Sequence, residues 1–372
     1  MANMLEYIDW RGDLDFSQVP LNEVDNLVLS AICYVDFEGI VSPSLNKPIL
    51  LSTAVKSYLR RHRGEKAYLG AIVPPQIIAL MARAAKSHRF GNIRVCGYIN
   101  HVCDECQMQF SAMTYLLDEN HLFVAYRGTD DTIIGWKENL NMSFMHPVPA
   151  QTEAVAYLGD VAYERREKIY VGGHSKGGNL AVYALTKCDA DIKQRVLGAF
   201  NNDGPGFSRE FIESEDYEGV REKIRTFLPQ SSIVGMLLEH DERYEVVKSS
   251  QTGIWQHDSM SWEVMGGSFI HLDSITDESK MTEKTLKLWL DEMSDEDREI
   301  FVDNLFRSLD ATEAKTLTDL NTDRKKIRKA WSTLESETKT AVYKYIKLLF
   351  KERTKNILPT KKEKTEAQEA QE

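Results

Sequence analysis

The chain has no apolar run of the length that a bilayer crossing demands. Its first residues, with Asp9, Arg11, Asp13 and Asp15 close together, also lack the uninterrupted apolar core of a secretion signal. These two absences predict a cytoplasmic protein without a transmembrane segment. Positive charge is short as well: 46 lysines and arginines stand against 57 aspartates and glutamates, a formal net charge of −11. Nucleic-acid binding draws its affinity from counterion release by a basic surface, so this balance argues against it. Cysteine is scarce and odd in number, five in 372 residues, which suits reduced thiols. Cys103 and Cys106 form a lone C-x-x-C within the alternating stretch VCDECQMQF, and no second pair completes a zinc set. Neither a metal nor a cofactor is expected.

What is present is organised around residues 168–185, KIYVGGHSKGGNLAVYAL. Ile169, Tyr170 and Val171 favour a strand, whereas Leu180, Ala181, Ala184 and Leu185 recur at helical spacing, so a period of two gives way to one of about 3.6 at Ser175. A sharp turn must lie between them. Gly173 and Gly177 fill the two places of a G-x-S-x-G elbow where strand and helix pass too closely for side chains. Such a turn lifts the Ser175 oxygen to the carboxyl edge of the sheet, at the positive end of a helix, where backbone N–H groups can hold an oxyanion. By position the N–H of Lys176 is the first donor. A bare G-x-S-x-G arises easily by chance; the strand before it, the helix after it and a second loop upstream carry the reading.

That second loop is Arg127-Gly128-Thr129-Asp130-Asp131, at the end of a strand expected over residues 122–126. An acyl-transfer serine needs a second oxyanion donor from a loop after an earlier strand, and Thr129 offers both an N–H and a hydroxyl. The same residues suit capping of the next helix, a role compatible with holding an oxyanion. Together, VAYRGTDD and VGGHSKGG resemble the class 3 lipases, whose members carry a strand ending in R-G-T or R-G-S and then a G-H-S-x-G-G elbow. With Lys176 in the elbow and GWKENLNMSF after the oxyanion loop, the chain is similar to an uncharacterised lipase-like family of Gram-positive bacteria, over roughly residues 5–265. The resemblance implies an α/β-hydrolase fold and the places of Ser175 and Thr129.

The rest of the pattern follows the same plan. Strands are expected over 93–102, 108–117 and 122–126, with Asp118-Glu119-Asn120 as a hairpin turn. A helix over 151–166 precedes the nucleophile strand. Hairpin-linked strands followed by β-α-β units predict a mixed, mostly parallel sheet. Upstream, helical spacing over 19–37, 52–61 and 74–88 predicts a cover packed on that sheet. A buried strand over 196–200 runs into NNDGPGF and puts Asp203 at a carboxyl edge, where hydrolase sheets display catalytic groups. The loop resembles that of pancreatic lipases, which place their acid in a Leu-Asp-Pro-Ala-Gly-Pro segment; a plain turn aspartate is the competing reading. After the next strand, 224–228, the chain departs from class 3 lipases, because Ser231 and Ser232 stand where those carry N-D-x-V-P. His257 follows the last strand, 244–249, and completes the chain order Ser, Asp, His of this fold. His240 is its rival, His174 is read as packing, and Asp241 and Asp258 are the alternative carboxylates.

Beyond residue 270 the composition shifts. Ser294-Asp295-Glu296-Asp297 starts a helix that Phe301, Leu305 and Leu309 continue, and Val342, Ile346, Leu349 and Phe350 mark another. Such an arm suits docking, a homo-oligomer, or weak membrane-surface contact, and from Pro359 the composition is that of a disordered tail. The expected organisation is a cover over 1–90, an α/β-hydrolase core over 91–270, a helical arm over 271–358 and a tail over 359–372. The expected function is hydrolysis of an acyl ester or lipid-like substrate by Ser175, His257 and Asp203, with Lys176 and Thr129 at the oxyanion. The alternative is a scaffold that keeps the fold without turnover and works through its arm.

Overall fold

Along the strand His121–Tyr126, Leu122, Val124 and Tyr126 bury in one core while Phe123 and Ala125 bury in another. Successive strand residues face opposite sides of a sheet, so this two-sided burial requires a helical layer on each face. The computed structural model describes residues 2–65, 69–70, 73–240, 243–310, 314–316, 318–319, 332 and 339–340. Within them, a nine-stranded sheet takes the strands in order: β1 (Ile49–Leu50), β2 (Arg94–Cys103), β3 (Met108–Leu116), β4 (His121–Tyr126), β5 (Lys168–His174), β6 (Val196–Asn202), β7 (Ile224–Pro229) and β8 (Tyr244–Val247). A small hairpin, β9 (Val264–Met265) with β10 (Ser268–Phe269), precedes β11 (His271–Leu272), which closes the edge against β8. Strands β4 to β8 are parallel, and both flanks are antiparallel. The fold is α/β with a mixed, mostly parallel sheet.

One face carries the N-terminal helices α1 (Met4–Arg11), α2 (Glu23–Ile32), α3 (Leu51–Arg61), α4 (Gln76–Ala84) and α5 (His88–Gly91). The helix expected over 19–37 is shorter, because Pro20 precedes Asn22, which caps α2 in a box with Asp25, and turns follow Ile32. Asp25 also takes the buried guanidinium of Arg89, with Nη2 2.5 Å from Oδ2, so the cover is tied internally by an ion pair. The opposite face carries α7 (Pro149–Glu164) and α8 (Lys176–Lys187), with α6 (Ile133–Asn141) between β4 and α7. Proline at the first position of α7 costs no hydrogen bond there.

The reduced state expected of Cys103 and Cys106 is corrected. The hairpin turn between β2 and β3 brings their Cα atoms to 5.3 Å, within disulfide range, and their sulfurs are bonded. Cys33, Cys96 and Cys188 are buried thiols. After the sheet, the arm supplies α12 (Asp277–Asp291) and α13 (Asp295–Asp310), the latter begun by Ser294, whose Oγ accepts the Asp297 N–H at 3.1 Å. Phe301, Val302 and Phe306 of α13 bury against Ile133 of α6. The helix expected around Val342 to Phe350, the tail from Pro359, and Asp241 lie outside the described residues. Among the described residues no helix is long and apolar enough to cross a membrane.

Candidate active site

Strand β5 ends at His174, and Ser175 stands between it and α8 with φ +58° and ψ −136°. A non-glycine residue held there costs about 1–3 kcal/mol and persists only where its surroundings impose it. The surroundings are tight. A Cβ added to Gly177 would lie 2.0 Å from the Tyr126 carbonyl oxygen at the end of β4, so glycine is what allows α8 to start against the sheet. The Ser175 N–H donates to the Asn202 carbonyl at 2.9 Å. The Asn202 side chain donates to the Gly173 carbonyl at 2.8 Å and exchanges two hydrogen bonds, 2.9 and 3.0 Å, with Asn26 of the cover.

Lys176 is the first residue of α8, and first-turn N–H groups have no partner inside the helix. The second loop presses on Ser175 from the other side: a Cβ on Gly128 would come within 3.0 Å of the Ser175 Cβ and 2.5 Å of the His174 carbonyl. The buried Thr129 hydroxyl donates to Asn139 Oδ1 at 2.9 Å, so its proton is committed to α6. The Lys176 side chain does something its backbone did not advertise. Its Nζ is buried and bonds Glu138 Oε2 at 2.7 Å and the Gln109 carbonyl at 2.6 Å, while Glu138 also accepts the N–H groups of Gln109 and Ala150.

Asp203 directly follows β6 with φ +53°, fully buried, its N–H on the Phe227 carbonyl at 2.8 Å. Its Oδ1 accepts the Ser232 hydroxyl at 2.5 Å and the Gly235 N–H at 3.2 Å, and its Oδ2 lies 2.6 Å from His257 Nδ1. Ser232 thus stands beside the carboxylate rather than replacing it. His257 closes a short 3₁₀ turn, Gly253–His257, and its side chain is 24% exposed. Its carbonyl accepts from His174 Nε2 at 2.8 Å, and the two rings lie 4.6 Å apart. That donor role puts the His174 proton on Nε2 and leaves Nδ1 to accept from Tyr34 Oη at 3.1 Å, a tautomer assigned from these partners. Burial first, and His257 second, hold His174 well below its ordinary pKa, so it stays neutral.

The structure therefore brings Ser175, Lys176, Thr129, Asp203 and His257 to one place at the sheet's carboxyl edge. Among the described residues no hydrogen bond joins the Ser175 hydroxyl to His257; in ligand-free sites such links are often open and tighten in the Michaelis complex. His240 is placed elsewhere, beside Gly206 and in a cavity of about 20 Å³ with Phe207 and Tyr217. Asp258 caps the turn that follows by accepting the Met260 N–H at 2.8 Å, and burial pushes its carboxyl above the usual range. In front of Ser175 lies a cavity of about 80 Å³, bordered by Asn139, Pro205 and Leu237 among others. Sequence reasoning missed the His174 bond, the Tyr34 contact and the Lys176–Glu138 pair. A signal for the last existed only in the lysine's place inside the elbow.

A strand–serine–helix elbow on a mixed α/β sheet, faced by an apolar cavity, makes this a lipase-like fold. The chain belongs to the Mbeg1-like family, whose model matches residues 84–307. Among solved structures it is similar to the native Rhizomucor miehei lipase propeptide complex, with 17% identity over 43% of this chain and 57% of that one and a TM-score of 0.32. A deletion mutant of the same complex matches with 17% identity over 44% and 66%, also at TM-score 0.32. The chain thus spans less than two thirds of either Rhizomucor chain. A fungal lipase–inhibitor complex, described as a model for interfacial activation, matches with 13% identity over 67% and 80% at TM-score 0.35. No curated protein matches the chain.

Proposed function

We propose that this protein is a serine ester hydrolase acting on an acyl ester or lipid-like substrate. The observation that carries the reading is the 2.6 Å bond between Asp203 Oδ2 and His257 Nδ1, the His257 turn being fastened to the elbow of Ser175 through His174. A carboxylate on that nitrogen fixes the tautomer whose Nε2 accepts a proton and stabilises the imidazolium that results.

In this mechanism the Ser175 oxygen attacks the ester carbonyl while its proton passes to His257 Nε2. The carbonyl oxygen takes the electron pair and is held by the N–H groups of Lys176 and Thr129. Collapse of the tetrahedral species breaks the ester C–O bond, and His257 returns its proton to the departing alcohol. Water then adds to the acyl-serine with His257 again as base, releasing the acid and restoring Ser175. No step calls for a metal or cofactor. Residues 1–90 serve as cover, 91–270 as hydrolase core and 271–358 as arm in this proposal.

A fluorophosphonate probe tests it. Covalent labelling of the full chain, lost in Ser175→Ala, is the expected result. Failure to label the folded wild type, together with no turnover of simple esters, would return the protein to a scaffold role.

A further inference from the structure

The cavity before Ser175 is only partly built by the sheet and its loops. Leu286, Trp289, Leu290 and Met293 come from α12 and its end, and Phe301 and Val302 come from α13. Trp289 and Phe301 pack edge to face, with centroids 5.6 Å apart, as one aromatic wall. The two helices are fastened to the core on several sides. Arg298 of α13 donates to the Ser143 carbonyl at 2.7 Å and to the Leu290 carbonyl at 2.8 Å, Lys137 of α6 pairs with Asp303 at 2.9 Å, and Ser279 of α12 donates to the Ser232 carbonyl at 2.7 Å. Ser232 is the residue that also bonds Asp203, so the arm is anchored to the carboxylate's own support.

We infer that the arm's two helices form the acyl-binding wall of the site and set the chain length it accepts, an unbranched chain of short to medium length. The inference rests on the ester-hydrolase reading for what the chain is attached to, and on the lining for its chemistry. Arg298 is the one charged side chain on that lining among the described residues. Its terminal nitrogens bond the two carbonyls and Asp295, and its Nε is buried without a partner. Its terminal nitrogens are thus engaged as a clasp, and every other residue of the lining is uncharged. An apolar space of about 80 Å³ with a nucleophile at its border suits the carbon chain on the acyl side of the scissile bond. This is small beside the roughly 300–1,000 Å³ of pockets that take drug-sized ligands, which is why a long chain is excluded while the wall stands.

Two measurements on the full chain separate this inference from the chemistry it rests on. In the first, butanoate, octanoate and hexadecanoate are titrated calorimetrically into Ser175→Ala and into the same protein carrying Trp289→Ala, Phe301→Ala or Leu286→Trp. Octanoate should bind best, Leu286→Trp should weaken it about tenfold or more, and either alanine should raise the hexadecanoate-to-octanoate affinity ratio by a similar factor, the scale on which apolar pockets discriminate chain length. The second measures the kcat/KM ratio for p-nitrophenyl hexadecanoate over butanoate in the arm variants with Ser175 intact, with circular dichroism and Tm confirming that each is folded. If acids bind in this pattern but no ester is cleaved, the hydrolase reading fails and the wall stands. If esters are cleaved yet the chain-length profile is the same in every folded variant, or no acid binds, the wall is overturned.

Discussion

At the scale of single residues, the proposed mechanism turns on the fate of one proton on His257. Asp203 is fully buried, and its Oδ1 is already engaged by Ser232 and Gly235, so the orientation of any replacement is fixed by those two donors. In Asp203→Asn the amide oxygen keeps them, and the NH₂ is left facing His257 Nδ1, which must then accept. The imidazole proton moves to Nε2, where it blocks receipt of the serine proton. We expect kcat to fall by about 10⁴-fold, the size seen for the wrong tautomer in serine proteases, with Tm little changed; retention of most activity in stopped-assay kinetics would remove Asp203 from the mechanism. His174 makes a separate prediction. Its folded-state pKa lies below its ordinary value, so over the interval between the two the unfolded chain holds a proton that the folded chain does not. Stability is therefore full above about pH 6.5 and declines as the pH falls below it. His146, also lowered by burial, adds to the same slope. His174→Gln keeps a donor for the His257 carbonyl but cannot titrate, and the fall in urea midpoint between about pH 6.5 and 5 should become shallower; an unchanged slope would mean that His174 is not held neutral.

At the scale of elements, the Lys176–Glu138 pair joins the first turn of α8 to α6, and α6 also holds the Thr129 hydroxyl through Asn139. Lys176→Met would leave the Glu138 carboxylate buried without its counter-charge, a loss of about 3–5 kcal/mol. Adding Glu138→Gln should recover part of it, and urea unfolding of both variants checks the sign and the recovery. Elements with a long enough pattern were legible in advance. The three strands from β2 to β4 and the hairpin turn at Asp118 lie within a residue or two of their expected places, because runs of β-favouring residues bounded by a turn cluster identify strands. The elbow was legible from a change of period. The two-residue strands β1 and β11 were not, since two residues carry no period, and their pairing is set by neighbouring strands far off in the chain. Helix α1 was also missed, although Asn3 and Glu6 form its capping box. Of the candidate site, the chain order of Ser175, Asp203 and His257 could be read directly. The bonds of His174 and of the Lys176 ammonium depend on partners 38 or more residues away and could not.

At the scale of the molecule, the site is supported from both faces of the sheet. The reciprocal amide pair of Asn26 and Asn202 reaches from the cover to the strand end whose carbonyl receives the Ser175 N–H. Asn26→Ala leaves the Asn202 amide with unpaired buried atoms, which costs about 1–3 kcal/mol, and a urea midpoint unmoved by this change would show that the cover does not brace the elbow. The arm closes the site from the opposite direction in the chain. Because the strands β1 to β8 are added to the sheet in the order in which they occur in the sequence, the groups assigned to catalysis also arrive in sequence during synthesis: nucleophile, then acid, then base, with the wall of the cavity last. A ribosome-bound chain that has released residue 203 but not 257 holds the elbow and the carboxylate with nothing to take the serine's proton. On this reading the nascent protein is chemically silent through more than half of its translation, and its esterase centre becomes competent only when the segment that also limits its appetite is about to emerge.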